Sequence, residues 1–174
     1  MVPKLRQLSL FSKDVTNPPI QVKQITFTPC CGNMKKIIGV EILEMFSTNE
    51  YDLNVLKIYS ETIRKLYVSA HILSISLLCF CPNLATLSCS ANFITNMDCL
   101  WKKFPNLTTL DITLWEWTDL SELKGFPFRI VLSSDHLINT QCFIDFKCRE
   151  LDLSLCLNIQ DYSSVAHIPI VIKK

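Results

Sequence analysis

CPNLATLSC (81–89) and FPNLTTLDI (104–112) write one phrase twice, an apolar residue, Pro, Asn and Leu, followed by two more apolar anchors at fixed offsets. The opening VPKLRQLSL (2–10) has the same outline, so Leu5, Leu8 and Leu10 align with Leu84, Leu87 and Cys89 and with Leu107, Leu110 and Ile112. The second and third anchors are two residues apart, the period of a β-strand, which points both side chains to one face. A strand this short cannot bury its apolar face alone. Stacking successive copies solves that, because strand edges pair and the anchors merge into one core.

Working outward, the same template fits Val22-Ile25-Phe27, Leu53-Leu56-Ile58, Ile63-Leu66-Val68 and Cys148-Leu151-Leu153. Val40-Leu43-Met45 is a weaker match, and Phe128-Val131 continues poorly because Ser133 takes the third anchor. A one-residue deletion after Pro127 accounts for the shift to Phe128. Most starts fall 17 to 23 residues apart, with short steps only on either side of 53. Pro3, Pro82 and Pro105 precede their strands, where a fixed φ and a missing N–H cost no sheet hydrogen bond.

The segments between strands should return the chain on the far side of the sheet. NMKKIIGVEILEMFS (33–47) places Ile38, Ile42, Met45 and Phe46 at helical spacing and is expected to form a helix in preference to the weak Val40 strand. Phe93, Met97, Leu100, Trp101 and Phe104 suggest a second helix, with Trp101 packed inward, and Leu137, Gln141, Phe143 and Ile144 a third, less regular one. Thr118 is a candidate N-cap before Leu120. Asn17-Pro18-Pro19 reads as a turn, and HIPIVIKK (167–174) as a final strand whose lysines discourage edge pairing.

The pattern resembles the leucine-rich repeat, L-x-x-L-x-L-x-x-N/C-x-L. Leu84 through Asn92 meets it with Cys89 in a Leu position, and CRELDLSLCLNI (148–159) is similar to the cysteine-containing repeats of F-box proteins. No F-box segment is recognisable. The resemblance implies an irregular α/β solenoid over residues 1–174, with short parallel strands on a concave face and helices or loops on the convex one. It also implies that Asn92 and Cys156 turn inward to satisfy backbone groups; Trp115 stands where a third such residue is expected. Exposed terminal repeats normally carry a polar cap. Its absence before the first phrase leaves three readings open: a degenerate cap, a partner at that end, or a fragment of a longer solenoid.

Seventeen basic and sixteen acidic residues give a net charge of +1, with no single-sign field to attract nucleic acid or anionic lipid. Between Lys65 and Asp98 there are no charged residues, but Pro82, Asn83, Asn92 and many hydroxyls interrupt the stretch, so no membrane span is expected. Charges within the first 14 residues argue against a secretory signal, and nine cysteines cannot all pair within the chain. Cytosol or nucleus is the expected compartment.

Chemistry is sparse. His71, His136 and His167 are widely spaced, and no C-x₂₋₄-C pair supports a structural zinc site, although Cys30-Cys31 and Cys79 with Cys81 supply close thiols. Asp98-Cys99 and Asp135-His136 have catalytic residue types without a motif, and no phosphate loop or nucleophile elbow occurs. No catalytic residue, metal or cofactor is expected.

The residue between the second and third anchors points away from the core. Across the stack it reads Ser9, Thr26, Lys57, Tyr67, Ser88, Asp111 and Asp152. With Trp115 and Trp117, this mixed polar row is the candidate surface for another protein. A non-enzymatic protein-interaction scaffold is the leading expectation. The alternatives are a cysteine-based zinc or redox module and a degenerate repeat fragment without independent function.

Overall fold

The computed structural model describes residues 4–10, 20–27, 37–46, 56, 59–78, 80–116, 119–137 and 139–174. Ten strands form one sheet: β1 Lys4–Leu10, β2 Ile20–Phe27, β3 Ile37–Ile38, β4 Ile42–Phe46, β5 Lys65–Ser74, β6 Thr86–Thr95, β7 Thr109–Leu114, β8 Arg129–Ser134, β9 Glu150–Asp152 and β10 Ile170–Ile172. Every pair is parallel, and neighbours follow chain order from β1 to β10, with β3 beside β2. Among the described residues helix is scarce: α1, Leu100–Lys103, helical residues Leu56 and Tyr59 in the β4–β5 connection, and a set of 3-10 turns.

One register runs through the sheet. Leu8 pairs with Ile25, Ile25 with Leu43, Leu43 with Leu66, Leu66 with Leu87, Leu87 with Leu110, Leu110 with Ile130, Ile130 with Leu151 and Leu151 with Val171. These second anchors face the core, and from Ile25 to Leu151 each is buried. Alternation is explicit in β7, whose residues run half-buried, buried, half-buried, buried.

The weak phrase at 40 prevails over the expected helix. Ile37, Leu43 and Met45 are buried in strands paired with β2, Val40 is buried in the link between them, and Ile38 and Phe46 are exposed. Gly39, at φ 75°, separates β3 from β4, and a Cβ there would lie 3.3 Å from Gln21 Cγ. Only glycine accepts this backbone without strain. Gly39→Ala is expected to lower stability by about 1–2 kcal/mol, read as a lower urea midpoint with an unchanged slope.

The phrase at 53 adds no strand between β4 and β5 in the sheet. β4 pairs directly with β5, and Leu56 is a buried helical residue of their connection. Leu53, Lys57 and Ile58 lie outside the described residues. Removing that start brings every repeat step into the 17-to-23-residue range.

Phe128 is also not an anchor. Ile130 and Leu132 are buried and in register with Leu110 and Ile112, whereas Phe128 is 41% exposed and Val131 faces outward. The buried aromatic is Phe126, before Pro127. The phrase has therefore lost two residues relative to its predecessor, the Asn-Leu pair after Pro. At Pro82 and Pro105 that pair closes a turn, with Leu84 N–H donating to Cys81 O at 3.1 Å and Leu107 N–H to Phe104 O at 3.0 Å.

A second repeated phrase explains the missing helices. SISLLCFCP (74–82), DLSELKGFP (119–127), NTQCFIDFK (139–147) and DYSSVAHIP (161–169) share a polar first residue and inward residues three apart. Leu120, Leu123 and Phe126 are buried, as are Thr140, Phe143 and Phe146. A period of three fits a 3-10 turn, not an α-helix. Asp119 accepts the Ser121 N–H at 2.9 Å and its hydroxyl at 3.0 Å; Asp161 does the same for Ser163 at 2.8 and 3.0 Å. These bonds begin the turns Ser121–Leu123 and Ser163–Val165 and hold both carboxyls below the ordinary aspartate range. The expected helix over 92–104 shrinks because β6 continues to Thr95 and Asn96 turns at φ 58°, leaving the 3-10 turn Met97–Cys99 and α1. The third helix is replaced by Gln141–Phe143.

Candidate functional site

The register fixes what faces away from the core. The outward row is Ser9, Thr26, Glu44, Tyr67, Ser88, Asp111, Val131, Asp152 and Ile172. Tyr67, Ser88, Asp111 and Asp152 thus share one row, and Glu44 takes the place assigned to Lys57. Lys57 and Trp117 lie outside the described residues, as does Thr118. A second row, two residues earlier in each strand, includes Gln24, Lys65, Thr86, Thr109, Arg129 and Glu150.

At the β7–β9 end of this face the charges satisfy one another. Arg129 Nη2 donates to Asp152 at 3.2 Å, while its Nε sits 2.8 Å from a Glu150 oxygen as an ion-pair contact without hydrogen-bond alignment. Asp152 is buried and also accepts the Ser154 N–H at 3.1 Å and hydroxyl at 2.7 Å. Burial pushes its pKa upward, but the Ser154 bonds and Arg129 outweigh that and hold it below the usual carboxylate range. Asp111 goes the other way. Burial raises its pKa, only partly opposed by a 3.2 Å bond from Ser88 and by Arg129, with Asp152 adding repulsion.

At the β4–β6 end the surface is different. Glu44, Phe46, Tyr67, Ser69, Ser88 and Ser90 line an open groove of about 200 Å³. The Glu44 carboxylate is fixed by Gln24 Nε2 at 2.8 Å on one oxygen and by the Thr26 hydroxyl on the other. Trp115, 61% exposed, donates its indole N–H to Ser90 Oγ at 3.0 Å and borders the same hydroxyl row. A larger hollow of about 490 Å³ lies elsewhere, against Asn139 and Leu157–Gln160, and no titratable group among the described residues lines it.

The repeat residues Leu84, Leu87, Cys89, Leu107, Leu110, Ile112, Leu151, Leu153 and Cys156 are buried. Cys156 donates its thiol to Leu132 O at 3.2 Å as the chain leaves β9. Asn92 does not turn inward. It stays within β6, half-buried, and its amide donates to Glu116 at 3.1 Å. Trp101 belongs to the backbone of α1.

Among the described residues, no group of three or more His, Cys, Asp or Glu side chains is arranged to hold a metal ion. His71 meets Phe93 edge-on, and His136 and His167 hydrogen-bond Trp115 O at 2.8 Å and Phe146 O at 3.0 Å. Six described cysteines are free thiols. Burial raises the pKa of Cys89 strongly and those of Cys142, Cys148 and Cys156 to about 11, which suppresses thiolate at neutral pH. Cys89, Cys148 and Cys156 should therefore resist iodoacetamide at pH 8 in the folded protein and react in urea, as read by peptide mass spectrometry. Protein-family models, curated proteins and solved structures give no match to this chain. No helix among the described residues is long and apolar enough to cross a membrane.

Sequence reading missed Glu44 because a helix was assigned to its segment. The signal was present in the spacing of Val40, Leu43 and Met45. The 3-10 phrase was missed as well, although its Asp-x-Ser pairs recur at 119 and 161.

Proposed function

We propose that the chain is a leucine-rich repeat solenoid that serves as a non-enzymatic protein-interaction scaffold, engaging another protein through the outward face of its sheet. The observation that carries this reading is the single register of the sheet, which aligns the polar residues Ser9, Thr26, Glu44, Tyr67, Ser88 and Asp111 across consecutive paired strands. The recurring strand phrase supports the family assignment, as does Cys156 bonding to Leu132 O. The arrangement suits recognition by distributed hydrogen bonds and charge. Free thiols fit the cytosol or nucleus. The zinc or redox alternative draws no support from the described cysteines, which do not converge on a metal site, and burial raises the thiol pKa of Cys89, Cys142, Cys148 and Cys156.

The test compares proteins captured from cell extract by the intact chain, by Tyr67→Ala/Ser88→Ala/Asp111→Asn, and by Lys147→Ala on an exposed connection. Specific capture by the intact chain and Lys147→Ala, lost in the triple variant, is the expected result. A partner profile unaffected by the triple variant contradicts the outward face as the binding surface.

A further inference from the structure

The groove between β4, β5 and β6 has a composition of its own. Phe46 stands half-exposed at one side, Tyr67 contributes a second aromatic, and Ser69, Ser88 and Ser90 supply hydroxyls. Among the described residues, Glu44 is its only lining carboxylate. Gln24 and Thr26 each occupy one lone-pair site of that carboxylate, and an ionised carboxylate has about four such sites. The group is thus held in place and retains acceptor capacity toward the groove.

Size restricts the occupant. A volume of about 200 Å³ is below the range of about 300–1,000 Å³ typical of small-molecule pockets. It suits one side chain of a macromolecular partner. Charge then selects the side chain. Arg129 is engaged by Glu150 and Asp152 at the other end of the face, and Lys65 lies on the neighbouring row without lining the groove. The groove itself therefore offers one fixed negative charge beside two aromatic rings. An aliphatic stem ending in a cation complements both features, with the stem against Phe46 and Tyr67 and the head at Glu44.

We propose that this groove receives an arginine or lysine side chain projecting from the partner protein. This inference rests on the scaffold reading above and adds the chemistry of the contact. Glu44 would position the cation, and the aromatic residues would select against a short polar side chain.

The probes are N-acetyl-arginine amide, N-acetyl-lysine amide and the neutral isostere N-acetyl-citrulline amide, titrated into the ¹⁵N-labelled full chain. The expected result is saturable shifts of the Glu44, Tyr67, Ser69, Ser88 and Ser90 amides at millimolar concentrations of a cationic probe, with at least tenfold weaker response to citrulline. Glu44→Gln should weaken cation binding about tenfold while keeping a dispersed spectrum. Phe46→Leu should weaken it about threefold and serves if Glu44→Gln misfolds. Equal binding of citrulline, or shifts centred on Asp111 and Asp152, overturns the proposal, as does no saturable response to either cation. If the probes fail while capture still depends on the outward face, the scaffold reading stands and this inference alone falls.

Discussion

Phe126→Ala is expected to destabilise the protein by about 3–5 kcal/mol, whereas Phe128→Ala, two residues away, should cost about 1–2 kcal/mol. Phe126 is almost fully buried at the end of the 3-10 phrase that feeds β8, so truncation leaves a cavity between adjacent repeats. Phe128 touches it edge-on at 6.0 Å between ring centroids and is 41% exposed. Its loss forfeits that ring contact and a partly covered ring, at a site open to solvent. Urea denaturation of the two variants separates the observed register from the one in which Phe128 anchors the strand. The opposite ranking would mean that β8 is shifted by one residue, exchanging its buried and outward faces.

The two aspartates of the outward row should respond oppositely to the same change. Asp152→Asn is expected to cost about 2 kcal/mol at neutral pH, because charge-assisted bonds to Ser154 and Arg129 are weakened. Arg129 is 42% exposed, so solvent screening limits the ion-pair share of that loss. The folded pKa of Asp152 lies below its unfolded value. Its stabilisation is fully present above the unfolded pKa of about 3.9 and is lost as pH falls through the folded value. Asp111 has a raised folded pKa, so its ionisation opposes folding as pH rises through that value. Asp111→Asn keeps an acceptor for Ser88 and should be neutral or slightly stabilising at pH 7. Stability measured from pH 2 to 7 should show a flatter acid limb in Asp152→Asn than in the parent protein, and a relative gain near neutrality in Asp111→Asn.

The parallel sheet was legible because leucines and prolines recur at fixed offsets in the strands where packing is most regular. Leu84, Leu87 and Cys89, like Leu107, Leu110 and Ile112, occupy successive core positions in one register. Reading failed where two periods overlap. In 37–46, Ile38, Ile42 and Phe46 mimic a helical stripe, yet pairing with β2 buries Ile37, Leu43 and Met45, with Val40 buried in the link between β3 and β4. Gly39 was the local clue, since its left-handed backbone permits the break between β3 and β4. Phe128 misled for a different reason. The shortened link after Phe126 removes the turn found at Pro82 and Pro105, so counting from proline gives the wrong register.

The site was partly legible for the same cause. Tyr67, Ser88 and Asp111 follow from alternation alone, and they do share the outward row. Glu44 enters only when the adjacent strand is recognised. Asp152 shows what alternation cannot disclose, since the short strand β9 ends at that residue and the following Ser154 folds back to bond it. An outward position there becomes a buried structural carboxylate.

Inter-strand NOEs along β4 to β9 provide the most direct test, because one register determines the core, the outward row and the groove together. Contacts linking Leu43 with Leu66, Leu87 with Leu110, and Leu110 with Ile130 are predicted. Pairing of Leu110 with Val131, or helical contacts from Leu43 to Phe46, would contradict the account.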